Sequence, residues 1–444
     1  MSICTSTIGY PRIGKSREVK KALEAFWSGK IESAELLKIV REVETESWKT
    51  QLEIGIDRIG IGDATLYDLI LDWTIRLGLI GDRFKDLQGL DRYFAMARGK
   101  EGIPALEMTK WFDTNYHYLV PEISNDIKPK ADFSDFIETV KRGQEILGKK
   151  AVPIIIAPVT LLRLSRLEGV QFGEILQQIL PLYSDLLKEL KELGIEEVQL
   201  HDPSLVFSDA SSLKEHYQTT YDHLSKIGLP IDLVTYFDDL GSTYAWVKEL
   251  PVAAISLDFT RGKNLELIKN NGFPDDKRLG AGVIDGRNIW RIRPHETSAL
   301  LAEIKTISAN LSIQPSASLQ FVPYDASRET KLPEALRNVL SFAEQKLTEI
   351  VFLSKTISGE NTKAEKEKIE KSWQAFEKFN PANSSVREKV NKLSPQDFQR
   401  SLSYPLRIDR QISLPPLPTT TIGSFPQTKE VRKLRLQYKK GNLT

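Results

Sequence analysis

At 444 residues, with 41% apolar and 27% charged side chains, the chain has the composition of a folded globular protein, and no apolar run is long enough to span a bilayer. Its 61 basic and 60 acidic side chains leave a net charge of +1, which excludes bulk attraction to nucleic acid or an anionic membrane and confines anion recognition to local clusters. The single cysteine, Cys4, excludes an internal disulfide, and Met1 to Pro11 lacks the basic and apolar regions of a signal peptide, so a cytoplasmic location is expected.

Short β-branched and aliphatic runs recur along the chain, separated by longer segments of helical periodicity. The predicted strands are Ser6–Gly9, Arg58–Ile61, Thr109–Phe112, Val152–Ile156, Glu197–Leu200, Leu233–Tyr236, Ala254–Leu257, Gly280–Ile284 and Leu319–Val322. Between them lie stretches such as Glu174–Leu193, which places Ile175, Ile179, Leu182 and Leu186 on one helical face. Strands alternating with helices imply a parallel sheet, and the number of pairs fits an α/β fold of the (β/α)8 TIM-barrel type, one of the nine strands then being a hairpin arm or insertion. No Gly-x-Gly-x-x-Gly follows an early strand, which weakens a dinucleotide-binding reading.

Several strands end in polar residues: Asp63, Asp113 to Asn115, His201-Asp202, Asp238-Asp239, Asp258, and Asp285 to Asn288. Barrel enzymes build their sites just beyond the carboxyl ends of the strands, but the same residue types also cap and close strand-to-helix turns. Beyond Phe352 the pattern changes. Residues 353–403 read as a charged helical extension, and residues 404–418, with Pro405, Pro415, Pro416 and Pro418, read as an extended linker.

The linker delivers the chain to a second copy of its own beginning. Thr7-Ile8-Gly9-Tyr10-Pro11, Arg17-Glu18-Val19-Lys20-Lys21 and Gly29-Lys30-Ile31 reappear as Thr421-Ile422-Gly423-Ser424-Phe425-Pro426, Lys429-Glu430-Val431-Arg432-Lys433 and Gly441-Asn442-Leu443. The offsets, 423 − 9 = 414 and 429 − 17 = 412, differ by a small loop deletion. A repeat this long implies a duplicated domain. Residues 1–352 are thus expected to be one barrel and 419–444 the first strand and helix of a truncated second.

Three segments stand out chemically. Arg12, Lys15, Arg17, Lys20 and Lys21 surround the start of a helix, where free N–H groups, the dipole and nearby cations suit a flexible polyanion; an exposed basic face is the simpler alternative. Lys110-Trp111-Phe112-Asp113-Thr114-Asn115-Tyr116-His117-Tyr118 sets a cation beside closely spaced aromatics, which serve equally well as core. Ile422-Gly423-Ser424 allows close backbone approach and offers a hydroxyl. The five histidines are scattered and no cluster has zinc-site spacing, so no metal is expected in this chain. Asp202 and Asp238, at successive strand ends, leave open a carboxylate-based hydrolase.

Taken together, Thr7 to Gly14 with Arg17 to Lys21 and Phe26 to Lys30, Lys110 to Tyr118, Gly282 to Trp290, and Thr420 to Pro426 closely resemble the amino-terminal half of cobalamin-independent methionine synthases. The resemblance implies two duplicated barrels and methyl transfer from 5-methyltetrahydropteroyltri-L-glutamate to homocysteine. It assigns Arg17, Glu18, Val19, Lys20 and Lys110 to the folate's oligoglutamate tail and Ile422, Gly423 and Ser424 to homocysteine. Val19 stands where leucine is more usual. The family's zinc, held by His, Cys, Glu and Cys of the second barrel, stabilises the homocysteine thiolate. Those ligands fall beyond Thr444, so the resemblance implies no catalytic residue and no zinc here, with the missing barrel as partner. It also leaves the reading of a non-catalytic folate-polyglutamate binding module.

Overall fold

Eight short parallel strands take up the buried runs of the sequence: β1 (Ile3–Thr5), β2 (Ile59–Ile61), β3 (Ala151–Ile156), β4 (Val198–His201), β5 (Ile231–Val234), β6 (Ala254–Asp258), β7 (Arg278–Ile284) and β8 (Leu311–Pro315). They belong to a computed structural model that describes residues 3–379, 383–421, 423 and 427–443. The chain divides into two compact units, Met1–Asn380 and Pro381–Thr444.

In the first unit the sheet order is β1-β8-β7-β6-β5-β4-β3-β2. The sheet curls until its edges meet, because Ser6 bridges Arg58 in parallel and Thr7 N donates to the Arg58 carbonyl at 2.9 Å. The result is TIM-barrel-like. Strands such as β3 are buried along their whole length, as covering on both faces requires. The helix Phe172–Glu192 opens with a capping box between Gln171 and Glu174 and buries Ile175, Ile179 and Leu186, with Leu182 at the edge of that face. The charged helix Lys363–Phe379 also belongs to this unit: Ile369 is buried, and Trp373 Nε1 donates to the Ile292 carbonyl at 3.1 Å. The division at Asn380 therefore lies later than the 352/353 boundary expected from composition.

Three sequence expectations change. Met108–Lys110 pairs antiparallel with His117–Leu119, so Thr109–Phe112 is the hairpin arm and not a barrel strand. Leu319–Phe321 is a single 3-10 turn, and the eighth strand is Leu311–Pro315. That strand escaped notice because Ser312 and Gln314 break its apolar run; inside the barrel Ser312 donates to the Gln314 side chain at 3.4 Å. The first strand lies earlier than Ser6–Gly9, because Thr7 and Gly9 already belong to the turn above it.

The second unit carries the helices Ser384–Asn391, Tyr404–Ile408 and Lys429–Lys439. Pro405 was expected to exclude helix from the linker, yet it sits in the first turn of Tyr404–Ile408, where a missing N–H costs nothing. The repeat is visible in helix ends. Glu18–Trp27 and Lys429–Lys439 finish at equivalent residues (439 − 412 = 27), and Gly29 and Gly441 follow with φ +68° and +72°. Ile422 and Ser424 lie outside the described residues; Gly423, with φ +83°, is exposed.

Candidate functional site

The carboxyl ends of the strands, where barrels of this type place their chemistry, are closed by the hairpin. Phe112 at its tip stacks on Phe207 with ring centroids 5.0 Å apart and lies 5.3 Å from Phe237, which in turn meets Phe321 at 5.7 Å. Both Phe112 (φ +51°) and Phe237 (φ +85°) adopt left-handed backbone that costs roughly 1 kcal/mol or more each, so packing holds them there. Beneath them is a cavity of about 20 Å³ lined by Ile8, Asp68, Trp111, Tyr118, His201 and Tyr236, room for a water and not for a substrate. Arg287 latches the hairpin from the loop after β7, pairing with Asp113 at 2.7 Å and lying 5.0 Å over Phe237.

The polar strand ends are used to build turns. Asp202 is fully buried and accepts from Thr160 Oγ1 at 2.5 Å, Tyr221 OH at 2.9 Å and Ser204 Oγ at 3.3 Å; burial nevertheless pushes its acid up to about 6. Asp258 caps the loop after β6 through Thr260 N and Oγ1, both at 2.7 Å, and Asp285 does the same through Arg287 N at 2.8 Å. Asp238 is exposed and, among the described residues, its carboxylate accepts from Asp239 N within its own turn. Asp202 and Asp238 therefore share no cleft, and the geometry does not supply the carboxylate pair of a hydrolase. His201, 3% exposed, is held neutral, burial lowering its pKa to about 3.

The basic cluster after β1 separates into two sets. Arg12 and Lys15 turn inward. Arg12 donates to the carbonyls of Thr65 (2.6 Å) and Tyr67 (2.7 Å), and Lys15 pairs with Glu344 (2.9 Å) and Glu46 (3.2 Å). Arg17, Lys20 and Lys21 remain exposed at the start of Glu18–Trp27, whose N-terminus has no side-chain cap. By contrast the Thr428 hydroxyl caps the equivalent helix Lys429–Lys439, accepting from Val431 N at 3.2 Å. Lys20 pairs loosely with Glu24 at 3.8 Å, whereas Arg17 and Lys110 form no ion pair among the described residues. A helix start without a side-chain cap beside exposed cations makes an anion-attracting surface.

Of the predicted tail residues, Glu18 turns back to accept from Ser16 N at 2.9 Å, while the Val19 side chain is buried and its N–H donates to the Ile13 carbonyl at 3.2 Å, so Val19 serves the packing of this helix start. Lys110 is exposed on the hairpin opposite His117. The hairpin and the helix Glu18–Trp27 share a buried cluster that includes Val19, Leu23, Leu36, Leu106 and Leu119. One residue that fixes this arrangement was not singled out from the sequence: Asp68, which accepts from Leu71 N (2.9 Å) and from the hairpin's Leu119 N (3.2 Å); Arg287, which also fixes it, falls in the polar strand end Asp285 to Asn288. Asp68 had a readable signal, an aspartate directly before the apolar run Leu69-Ile70-Leu71.

Zinc does not fit the described residues. Cys4 lies in β1 at the amino ends of the strands with its Sγ 3.7 Å from the Leu311 carbonyl, and no group of three His, Cys, Asp or Glu side chains among the described residues is arranged to hold a metal ion.

A family model described as cobalamin-independent synthase, N-terminal domain, matches residues 4–309, and one described as cobalamin-independent synthase, catalytic domain, matches residues 417–444. The chain belongs to the cobalamin-independent methionine synthase family. Within that family it is 68% identical over 444 residues to a 5-methyltetrahydropteroyltriglutamate–homocysteine methyltransferase of Trichodesmium erythraeum (strain IMS101), covering all of this chain and 60% of that protein. A protein of the same name from Synechococcus sp. (strain JA-2-3B'a(2-13)) is 57% identical, with all of this chain and 59% of that protein covered. The chain thus spans about three-fifths of the length of the curated relatives it matches. The fold is shared with a solved B12-independent methionine synthase of Shewanella sp. W3-18-1, at TM-score 0.55 and 13% identity over 74% of this chain and 90% of that one. The two family matches contain the two copies of the internal repeat. No helix among the described residues is long and apolar enough to cross a membrane.

Proposed function

We propose that this chain is the amino-terminal part of a cytoplasmic methyltransferase that passes the methyl group of 5-methyltetrahydropteroyltri-L-glutamate to L-homocysteine, giving L-methionine. In this reading residues 1–352 form the barrel that binds the folate tail. Residues 353–403 and 404–418 form an extension and a linker, and residues 419–444 open a second, zinc-bearing catalytic barrel. Arg17, Glu18, Val19, Lys20 and Lys110 form the segments that hold the oligoglutamate tail, the cations by charge. Ile422, Gly423 and Ser424 meet homocysteine.

One observation carries the reading: the barrel mouth is filled by Phe112 and its neighbours, while exposed cations stand on two rim segments that one buried cluster ties together. A filled mouth and a cationic rim suit holding an anionic tail and do not suit chemistry at this end. The chain by itself is accordingly proposed to act as a binding module that makes no methionine and binds the folate weakly. Zinc bound to the whole enzyme supplies thiolate stabilisation, and no step of it is assigned to residues present here.

Titration with mono- and triglutamyl 5-methyltetrahydrofolate tests the reading. The chain is expected to prefer the triglutamate, and Lys20→Ala and Lys110→Ala to reduce that preference by roughly 2- to 5-fold each, the scale of one exposed charge pair. Equal affinity for the two ligands removes the tail-binding role. Stoichiometric zinc in the purified chain, or methionine formation by it, removes the division of labour.

A further inference from the structure

Between the two segments that carry the exposed cations lies a cation that pairs with no carboxylate among the described residues. Arg12 sits in the loop after β1, five residues before Arg17. Its guanidinium donates through Nη1 to the Thr65 carbonyl (2.6 Å) and through Nη2 to the Tyr67 carbonyl (2.7 Å) and the Tyr116 hydroxyl (3.1 Å). Tyr116 OH donates in turn to the Tyr67 carbonyl at 3.1 Å, and the guanidinium lies 5.6 Å from the Tyr116 ring centroid. Three loops, those after β1 and β2 and the hairpin tip, therefore converge on one planar cation. Arg12 forms no ion pair among the described residues; its donors go to two backbone carbonyls and a phenol. That placement uses the fork of an arginine, which fixes distance and direction together, and a lysine cannot reproduce it.

We infer that Arg12, with Tyr116, is a positioning residue that sets the spacing between the Arg17–Lys20 segment and Lys110 and thereby the length of polyanionic tail the rim accepts. The inference rests on the tail-binding reading above. Covalent distance supports it, since Arg17 lies five residues after Arg12 and Lys110 six residues before Tyr116, so neither cation can move far unless the clamp yields. A clamp of this kind acts on selectivity. A ligand that reaches only one segment is indifferent to the spacing, whereas a ligand that bridges both loses contact when the spacing varies.

The test compares the 444-residue chain with Arg12→Lys and Tyr116→Phe, titrating mono- and triglutamyl 5-methyltetrahydrofolate by NMR, with thermal unfolding measured alongside. Tyr116→Phe keeps the ring and removes only the hydroxyl, so it serves if Arg12→Lys fails to fold. Each variant is expected to lower the triglutamate-to-monoglutamate affinity ratio, Arg12→Lys by roughly 10-fold, the scale of one lost charge-assisted contact, with monoglutamate affinity unchanged. A purely structural arginine would lower the unfolding midpoint and leave the ratio alone; that result overturns the inference while the tail reading stands. A wild-type chain with no preference overturns both.

Discussion

His201 offers a direct reading of how tightly the barrel mouth is sealed. It is 3% exposed, and its ring nitrogens lie 3.4 Å from Gln199 Oε1 and 3.4 Å from Tyr236 OH, with no carboxylate to stabilise a proton. Burial lowers its pKa from 6.5 to about 3. In the unfolded chain the imidazole takes up a proton as pH falls through its ordinary value, and in the native barrel it does not. Stability is therefore fully present above that value and is lost progressively down to about 3. At about pH 5 the unfolded form is favoured by roughly 2 kcal/mol through this group alone, since about 1.5 units separate the solution pH from the unfolded pKa. His201→Gln removes the titration. Urea unfolding followed by tryptophan fluorescence, at about pH 7.5 and about pH 5, should show the variant gaining roughly 2 kcal/mol on the wild type between the two conditions. Asp202 and Asp258, whose acids burial pushes up to about 6, titrate in both proteins and cancel in the comparison. A wild-type-to-variant difference that is the same at both pH values would mean the imidazole reaches water, and the description of a closed mouth would be wrong.

Other substitutions probe other parts of the barrel. Val19→Ala truncates a side chain that is 1% exposed, so it should cost roughly 1–3 kcal/mol in denaturant unfolding while leaving triglutamate preference intact, because that side chain faces the core and not a ligand. Tyr221→Phe removes the 2.9 Å donor to Asp202 and should cost roughly 1–3 kcal/mol. Because Asp202 already has a raised pKa, that loss should be largest when the carboxyl is ionised, at about pH 8, and shrink as pH falls below about 6, where protonation relieves it. Gly286→Ala would drive a methyl group into the Ala317 backbone carbonyl, which cannot rotate away, so a loss of roughly 1–3 kcal/mol is expected from thermal or urea unfolding.

The parts of the barrel that were readable from sequence are those in which one physical cause dominates. β3 is Ala-Val-Pro-Ile-Ile-Ile, buried throughout, and hydrophobicity alone marks it. The helix Phe172–Glu192 carries its apolar residues at helical spacing because one side faces the sheet. β8 was missed for the opposite reason: Ser312 and Gln314 look like solvent-facing residues until the barrel interior supplies their partners. In the same way, Asp202, Asp258 and Asp285 read equally as catalytic groups or turn caps. Only the positions of Thr160, Thr260 and the backbone of Arg287 assign them to turns.

The amino-acid sequence alone determined that a strand-and-helix unit repeats, that the chain carries one thiol and nearly balanced charge, and that cations cluster where a helix begins. Those properties depend on residue type and on spacing along the chain, which need no third dimension. The tertiary structure decided which cations stay free. Arg12 and Lys15 turn inward, because carbonyls of Thr65 and Tyr67 and carboxylates of Glu46 and Glu344 come within reach only when the barrel closes, while Arg17, Lys20 and Lys110 are left facing water. A hydrogen bond requires donor and acceptor about 3 Å apart, and segments this far apart in the chain meet at that distance only through packing.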